Sequence, residues 1–241
     1  MPSTRVLVAI PAYNEEVTLA GVVGHVRHSL PGKDVLVVDD GSTDSTGEIL
    51  DSLGVTQARH LCNLGYGRAI QTALKYAARH QCEVLVTLDA DGQHDPGQLA
   101  GMLEEFLRSP WDLMIGSRYV HNRNYAGAPL GRRLGMTTFS LVVRLITGQR
   151  IYDTTSGLKM MKRCLFGPLS LWHFVDFHAE AIIYLSRLGY RVAEYPITVV
   201  PRHHGQSMYS LLSAVKYPLK TLMMVILGVV HATVTRRAGR V

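Results

Sequence analysis

Short apolar runs alternate along the chain with longer stretches whose apolar residues recur at helical spacing. Residues 6–10, 35–38, 84–88 and 113–116 are continuous apolar runs, the pattern of strands buried on both faces, and a shorter strand is expected near 57–60. Between them the spacing predicts helices over 18–29, 45–53 (capped by Ser42 or Thr43), from 68 through Ala78, and over 96–108, with another near 134–146. Strands spaced in this way imply βαβ units with right-handed crossovers. The expected fold is α/β: a mostly parallel, twisted, Rossmann-like sheet flanked by helices. Residues 211–230 are rich in Leu, Met, Ile and Val but carry Lys216, Pro218 and Lys220, and their uninterrupted apolar part, 222–230, is short of the ~20 residues that span a bilayer. The pattern predicts a pair of short amphipathic helices over 211–241. These would pack on a domain of residues 1–210, on a second subunit in a homo-oligomer, or in a membrane interface.

The strand ends carry the chemistry. The run 84–88 delivers Asp89 and Asp91 to a turn broken by Gly92 and Pro96. Two hard oxygen donors one residue apart, followed by Gln93, suit a Mg²⁺ or Mn²⁺ that also takes phosphate oxygens. Upstream, the first two strands end in Pro11-Ala12-Tyr13-Asn14-Glu15 and Asp39-Asp40-Gly41-Ser42. Glu15 or Asp40 can accept hydrogen bonds from a ribose hydroxyl or a base N–H, and Tyr13 offers a wall for a ring. In a parallel sheet all three turns share the edge where such folds bind ligands. Together they predict a site for a nucleotide and its metal.

Composition narrows the partners. The 241 residues, 47% of them hydrophobic, suffice for one α/β domain with a small appendage. The net charge of +6 admits phosphorylated substrates or an anionic membrane surface. Nucleic acid is disfavoured, because no basic cluster is interleaved with aromatics. Three cysteines (Cys62, Cys82, Cys164) make no paired framework and have no base spaced to activate them. They point to a reducing compartment, and no apolar signal region precedes the first strand.

Four motifs in order, Pro-Ala-Tyr-Asn-Glu, Val-Val-Asp-Asp-Gly-Ser-Thr-Asp, Asn-Leu-Gly-Tyr-Gly and Asp-Ala-Asp-Gly-Gln-His-Asp-Pro, resemble family 2 glycosyltransferases of the GT-A fold. The likeness is close over about the first half of the chain and looser to near residue 210. It implies inverting transfer of a hexose from a nucleoside diphosphate sugar. Pro11, Ala12, Tyr13, Glu15, Asp39, Asp40 and Ser42 would hold the nucleoside, with Asp89 and Ala90 also lining the donor site. Asp89, Asp91 and Gln93 would face the metal and diphosphate. Within the family, the dolichol-phosphate mannose synthases and their bacterial polyprenyl-phosphate relatives are most similar. Gly116-Ser117-Arg118, Asp153-Thr-Thr-Ser-Gly157, His178-Ala-Glu180 and Arg202-His-His-Gly-Gln-Ser207 match their later motifs. The resemblance implies Asp91, Arg118 and Glu180 as catalytic, with Arg118 also binding the nucleotide sugar near its sugar and phosphates, and Arg132, Arg202 and Ser207 as holding the acceptor phosphate. Donors of the GDP-mannose or UDP-glucose type and a polyprenyl phosphate acceptor are expected, with a cytoplasmic protein peripheral at the membrane face.

Two residues depart from that pattern: Met208 stands where the relatives usually carry Lys, and Met136 where several carry Ser. Both changes remove polar contacts from the acceptor side and support an alternative, a hydroxyl acceptor. A hydroxyl needs a base, for which Glu180, Asp176 and His178 are the candidates. A phosphate acceptor is already an anion and needs none.

Overall fold

The computed structural model describes residues 4–93, 97–121, 130–172, 174, 176–199 and 211–239, the side chains of 130–135 and 211–221 excepted. In chain order the elements are β1 (Val6–Ala12), α1 (Leu19–Ser29), β2 (Asp34–Asp39), α2 (Thr46–Leu53), β3 (Thr56–Arg59), α3 (Tyr66–Arg79), β4 (Val84–Thr87), α4 (Gly97–Arg108), β5 (Leu113–Ser117), α5 (Leu130–Thr147), β6 (Lys159–Lys162), α6 (Phe166–Leu171), α7 (Ala179–Leu188), β7 (Val192–Pro196) and α8 (Leu211–Arg237).

The strands form one seven-stranded sheet in the order β3-β2-β1-β4-β6-β5-β7. Successive side chains of a strand point to opposite faces. Val6, Val8 and Ile10 therefore join a core with α1 and α4, whereas Leu7 and Ala9 join one with α3, α6 and α7. Both faces are covered, and this is why β1, β2 and β4 read as unbroken apolar runs.

The pairs β1–β2, β1–β4, β2–β3 and β5–β7 are parallel, as expected. β6 is not: it lies antiparallel between β4 and β5. Its sequence, Lys-Met-Met-Lys, has neither β-branched residues nor alternation, so periodicity was silent there. The consequence is positional. Parallel strands bring their ends to the ligand edge, but β6 brings its beginning, placing residues 151–158 on the same edge as Asp89 and Arg118.

Helix α2 also differs in its cap. Ser42 and Thr43 are engaged with Asn14, and Asp44 Oδ1 accepts from Thr46 N at 3.0 Å instead. The expected pair of short C-terminal helices is a single helix of 27 residues, α8, with Pro218 inside it. Among the described residues no helix is long and apolar enough to cross a membrane.

Along its described half, α8 packs on α7 through Val225, Gly228 and Ala232. Trp172 Nε1 donates to Thr235 Oγ1 at 2.9 Å, and the Trp172 ring stacks on His231 with centroids 4.3 Å apart. At Gly228 the contact is so close that a Cβ would lie 2.8 Å from the Glu180 carbonyl oxygen. In an open helix Gly→Ala stabilises by ~1 kcal/mol. Here Gly228→Ala is expected to reverse that sign and destabilise by about 1–3 kcal/mol, as overpacking does, read as a lower urea midpoint.

Candidate active site

The turns after β1 and β2 are laced together. Asn14, in the left-handed region at φ 55°, donates its N–H to Ser42 Oγ at 3.0 Å, and its side-chain oxygen accepts from Thr43 N at 2.9 Å. Glu15 N donates to Thr46 Oγ1 at 2.9 Å, and the Glu15 carboxylate accepts from Thr18 Oγ1 at 2.8 Å. Pro11 is half-buried and Ala12 buried, leaving Tyr13, 43% exposed, as the ring available at this edge.

Asp39 and Asp40 are both buried, and each is held by the protein. Asp39 accepts from Ser42 N at 2.9 Å and from Arg59 Nε at 2.7 Å. Burial alone would raise its pKa, but the Ser42 bonds and then the Arg59 guanidinium hold it below the ordinary carboxylate value. Asp40 accepts from Leu64 N at 3.0 Å and Gly65 N at 2.8 Å, with His60 Nδ1 2.6 Å away. This carboxylate thus fastens the Asn-Leu-Gly-Tyr-Gly loop to β2. Gly41, at φ 74°, must be glycine, since a Cβ would lie 2.4 Å from the Cys62 carbonyl carbon.

Asp89, Ala90, Asp91 and Gln93 form the turn after β4. Tyr66 OH donates to Asp89 Oδ1 at 3.2 Å, and Gln93 N donates to Asp91 Oδ1 at 3.0 Å. Ala90 is buried between the two carboxylates in sequence. Among the described residues no group of three or more His, Cys, Asp or Glu is arranged around a common metal position. Asp89 and Asp91 are nevertheless the hard-oxygen donors here that could share a divalent cation with phosphate oxygens.

Beyond β5, Arg118 and Asp153 make a two-pronged ion pair, Nε to Oδ2 and Nη2 to Oδ1, both 2.7 Å, and Arg118 N adds a bond to Oδ2 at 3.1 Å. Arg118 Nη2 also donates to Thr155 Oγ1 at 3.1 Å. Burial disfavours both charges, yet their mutual bonds and attraction overturn it, lowering Asp153 and raising Arg118. Lys159 is 1% exposed and donates to the Ser156 carbonyl. Desolvation pulls it down to about 8 against the attraction of Asp89, Asp153 and Glu180.

At the start of α7, the buried Glu180 accepts from Asp176 N at 3.1 Å, and desolvation raises its pKa. Desolvation and then Lys159 push His178 down to about 4, so its ring is neutral. His178 faces Tyr66, ring centroids 5.8 Å apart. Among the described residues, His178 Nδ1, Glu180 Oε2 and Ser156 Oγ are buried with no hydrogen-bond partner. Orphaned buried polar atoms are costly, and a polar ligand is one way to satisfy them.

The profile described as "Glycosyl transferase family 2" matches residues 7–167, more than half of the chain. This chain belongs to glycosyl transferase family 2. The polyprenol monophosphomannose synthase of Mycolicibacterium smegmatis is 34% identical over 220 residues, covering 87% of this chain and 82% of its own. The undecaprenyl-phosphate mannosyltransferase of Micrococcus luteus is 34% identical over 215 residues, covering 86% and 88%. In fold, the chain is similar to the glucosyl-3-phosphoglycerate synthase of Mycobacterium tuberculosis, crystallised with Mn²⁺ and UDP-glucose, with TM-score 0.69, 20% identity, and 92% and 78% of the two chains covered.

In this glycosyltransferase the sheet edge gathers the turns that carry Tyr13, Glu15, Ser42, Asp89, Asp91 and Arg118, while α7 carries Glu180. Arg132 belongs to α5 and its side chain lies outside the described residues, as do Arg202 and Ser207 altogether. The sequence pattern singles out neither Tyr66 nor Lys159 as an individual residue. Tyr66 sat inside a recognised loop motif, and Lys159 at the head of a strand without periodicity.

The Arg118–Asp153 pair carries a pH signature. Because Asp153 is held below its ordinary 3.8, its stabilisation is complete above that value and is lost as pH falls through the lowered one. Asp153→Asn is expected to cost about 3–5 kcal/mol near neutrality, since it strands a buried guanidinium. It should also flatten this part of the acid limb of stability, measured by urea unfolding between neutral pH and pH ~2.5.

Proposed function

We propose that this enzyme transfers a hexose, with inversion, from a nucleoside diphosphate sugar of the GDP-mannose or UDP-glucose type to a polyprenyl phosphate. The observation that carries the acceptor is the pair of relatives named for polyprenol and undecaprenyl phosphate, each aligned over more than four-fifths of both chains. The site chemistry is compatible. A phosphate acceptor arrives as an anion and needs no strong base, which suits a site whose histidine is held neutral with a pKa near 4.

The donor's nucleoside would lie along the β1 and β2 turns, with Tyr13 as its wall and the Glu15 carboxylate within reach of polar hydrogens. Asp89 and Asp91 would hold a Mg²⁺ or Mn²⁺, hard cations that also take phosphate oxygens. Such a cation supplies Lewis-acid stabilisation of the charge that develops on the departing diphosphate. Arg118, oriented by Asp153, is assigned to donate hydrogen bonds to the same leaving group. Glu180, buried and short of a partner for one oxygen, is assigned to accept a hydrogen bond from a sugar hydroxyl. Arg132, Arg202 and Ser207 are assigned to the acceptor phosphate, whose oxygens a guanidinium fork matches.

Transfer is tested with GDP- and UDP-sugars, Mn²⁺ and a short polyprenyl phosphate, comparing the native enzyme with Asp91→Ala. Sugar is expected on the lipid phosphate with the native enzyme and, within detection, none with the variant. The variant should keep its fold, because Asp91 lies on a partly exposed turn. Donor hydrolysis without transfer would move the acceptor to a hydroxyl compound, with Glu180 or Asp176 as its base. Normal turnover by the variant would overturn the metal assignment.

The acceptor lies in a membrane, and α8 offers a way to meet it. Leu222, Met223, Ile226, Val230 and Val234 are exposed on this helix, mostly at four-residue spacing, with Arg236 and Arg237 exposed beyond them. We infer peripheral docking on an anionic leaflet, apolar stripe inward and arginines at the headgroups. Vesicles rich in anionic lipid should co-sediment the protein at low salt, and Ile226→Asp with Val230→Asp should reduce the bound fraction at least fivefold. Protein left in the supernatant would favour a soluble acceptor, and dimerisation through the stripe would assign it to a second copy.

A further inference from the structure

The turn that leads into β6 has three consecutive carbonyls, each held by a different element. Ser156 O accepts from Lys159 Nζ, Gly157 O accepts from Thr87 Oγ1 at 2.8 Å, and Leu158 O accepts from Gly116 N at 2.9 Å. The turn is thereby fastened to β4, β5 and β6 at once. The Asp89 carboxylate rests on the buried Gly157 of this turn so closely that a Cβ would lie 2.0 Å from Asp89 Oδ2. On its other side Asp89 accepts from Tyr66. The carboxylate is clamped between a tyrosine hydroxyl and a backbone that cannot carry a side chain.

Lys159 is the charged member of this clamp, and the proposed reaction assigns it no role. It is buried, and its charge interacts with Asp89, Asp153 and Glu180. Asp153 is already matched by Arg118, and Asp89 is the first of the carboxylates whose attraction supports the Lys159 charge. A buried ammonium is expensive to retain as mere filling, since methionine would fill similar space without desolvating a charge.

We propose that Lys159 is a positioning residue for the donor site, holding the Ser156–Gly157 turn against Asp89 so that this carboxylate keeps the orientation needed by the cation and diphosphate. This rests on the reading of Asp89 and Asp91 as the cation-binding pair. Two roles give opposite signs. If Lys159 were only a nearby positive charge, removing it would tighten Mn²⁺ binding. If it positions Asp89, removing it loosens a ligand and weakens Mn²⁺ binding by about 10–100-fold, as losses of supporting contacts around metal sites do.

The test is Mn²⁺ titration of the donor-free enzyme, followed by electron paramagnetic resonance of the free ion, for native protein, Lys159→Met, Lys159→Arg and Thr87→Val. Lys159→Met should raise the Mn²⁺ Kd at least tenfold and lower kcat at saturating Mn²⁺ and donor, with Lys159→Arg recovering most of both. Thr87→Val removes the second fastening of the same turn while leaving Lys159 in place. It should weaken Mn²⁺ in the same direction, and it decides the matter should Lys159→Met not fold. Unchanged or tighter Mn²⁺ binding in folded Lys159→Met, or unchanged binding in Thr87→Val where the former does not fold, overturns the proposal. Absence of Mn²⁺ binding by the native protein overturns the cation-site reading beneath it as well.

Discussion

The ligand edge of this sheet is governed by the desolvation of carboxylates. Asp39, Asp40, Asp153 and Glu180 are all buried there. An ionised carboxylate removed from water must be given donors or an opposite charge, or it takes up a proton. The structure answers differently at each one. Asp39 receives a backbone N–H and Arg59, Asp40 receives two backbone N–H groups, and Asp153 receives a guanidinium fork. Each answer ties together segments far apart in sequence. The buried acids that would be a liability in a plain core thus become the fastenings of the loops around the site.

This ordering explains why Asp39 and Asp40 are turned toward the protein while Tyr13, Glu15 and Asp91 lie on partly open turns. The inner pair shapes the β2 turn and pulls the loop before α3 onto it. That loop begins the helix carrying Tyr66, whose hydroxyl reaches Asp89. Residues from three separate motifs are therefore parts of one hydrogen-bonded framework. The antiparallel β6 completes it from the other side, because only a strand that starts at the ligand edge can place a preceding turn against Asp89.

The first half of the fold could be read from the chain because local and global signals agree there. Apolar runs mark strands buried on both faces, and each ends in a turn of Gly, Asp, Asn or Ser. β6 was unreadable for the opposite reason: Lys-Met-Met-Lys is stabilised by neighbours on both sides rather than by its own propensity. The long α8 looks like a pair in the sequence because Pro218, Lys216 and Lys220 interrupt the apolar pattern, although the helix runs through them. Of the site, the spacing of Asp89 and Asp91 was legible, but the partners of Arg118 and the burial of Lys159 were not. Those depend on tertiary contacts 35 residues away or on which carbonyl faces an ammonium.

Glu180 shows where the framework leaves a demand unmet. Its carboxylate is buried with one oxygen supplied by Asp176 N and the other without a partner among the described residues. A side chain in that state would move toward water were its backbone free. It is not free: α7 is packed into the core on one side, and on the other Gly228 of α8 rests directly on the Glu180 carbonyl. The tight helix pair holds an unfavourable carboxylate in place, and local conflicts of this kind persist where a site needs them. The helix that presents an apolar stripe outward is thus the one whose inner face packs on the backbone that carries Glu180.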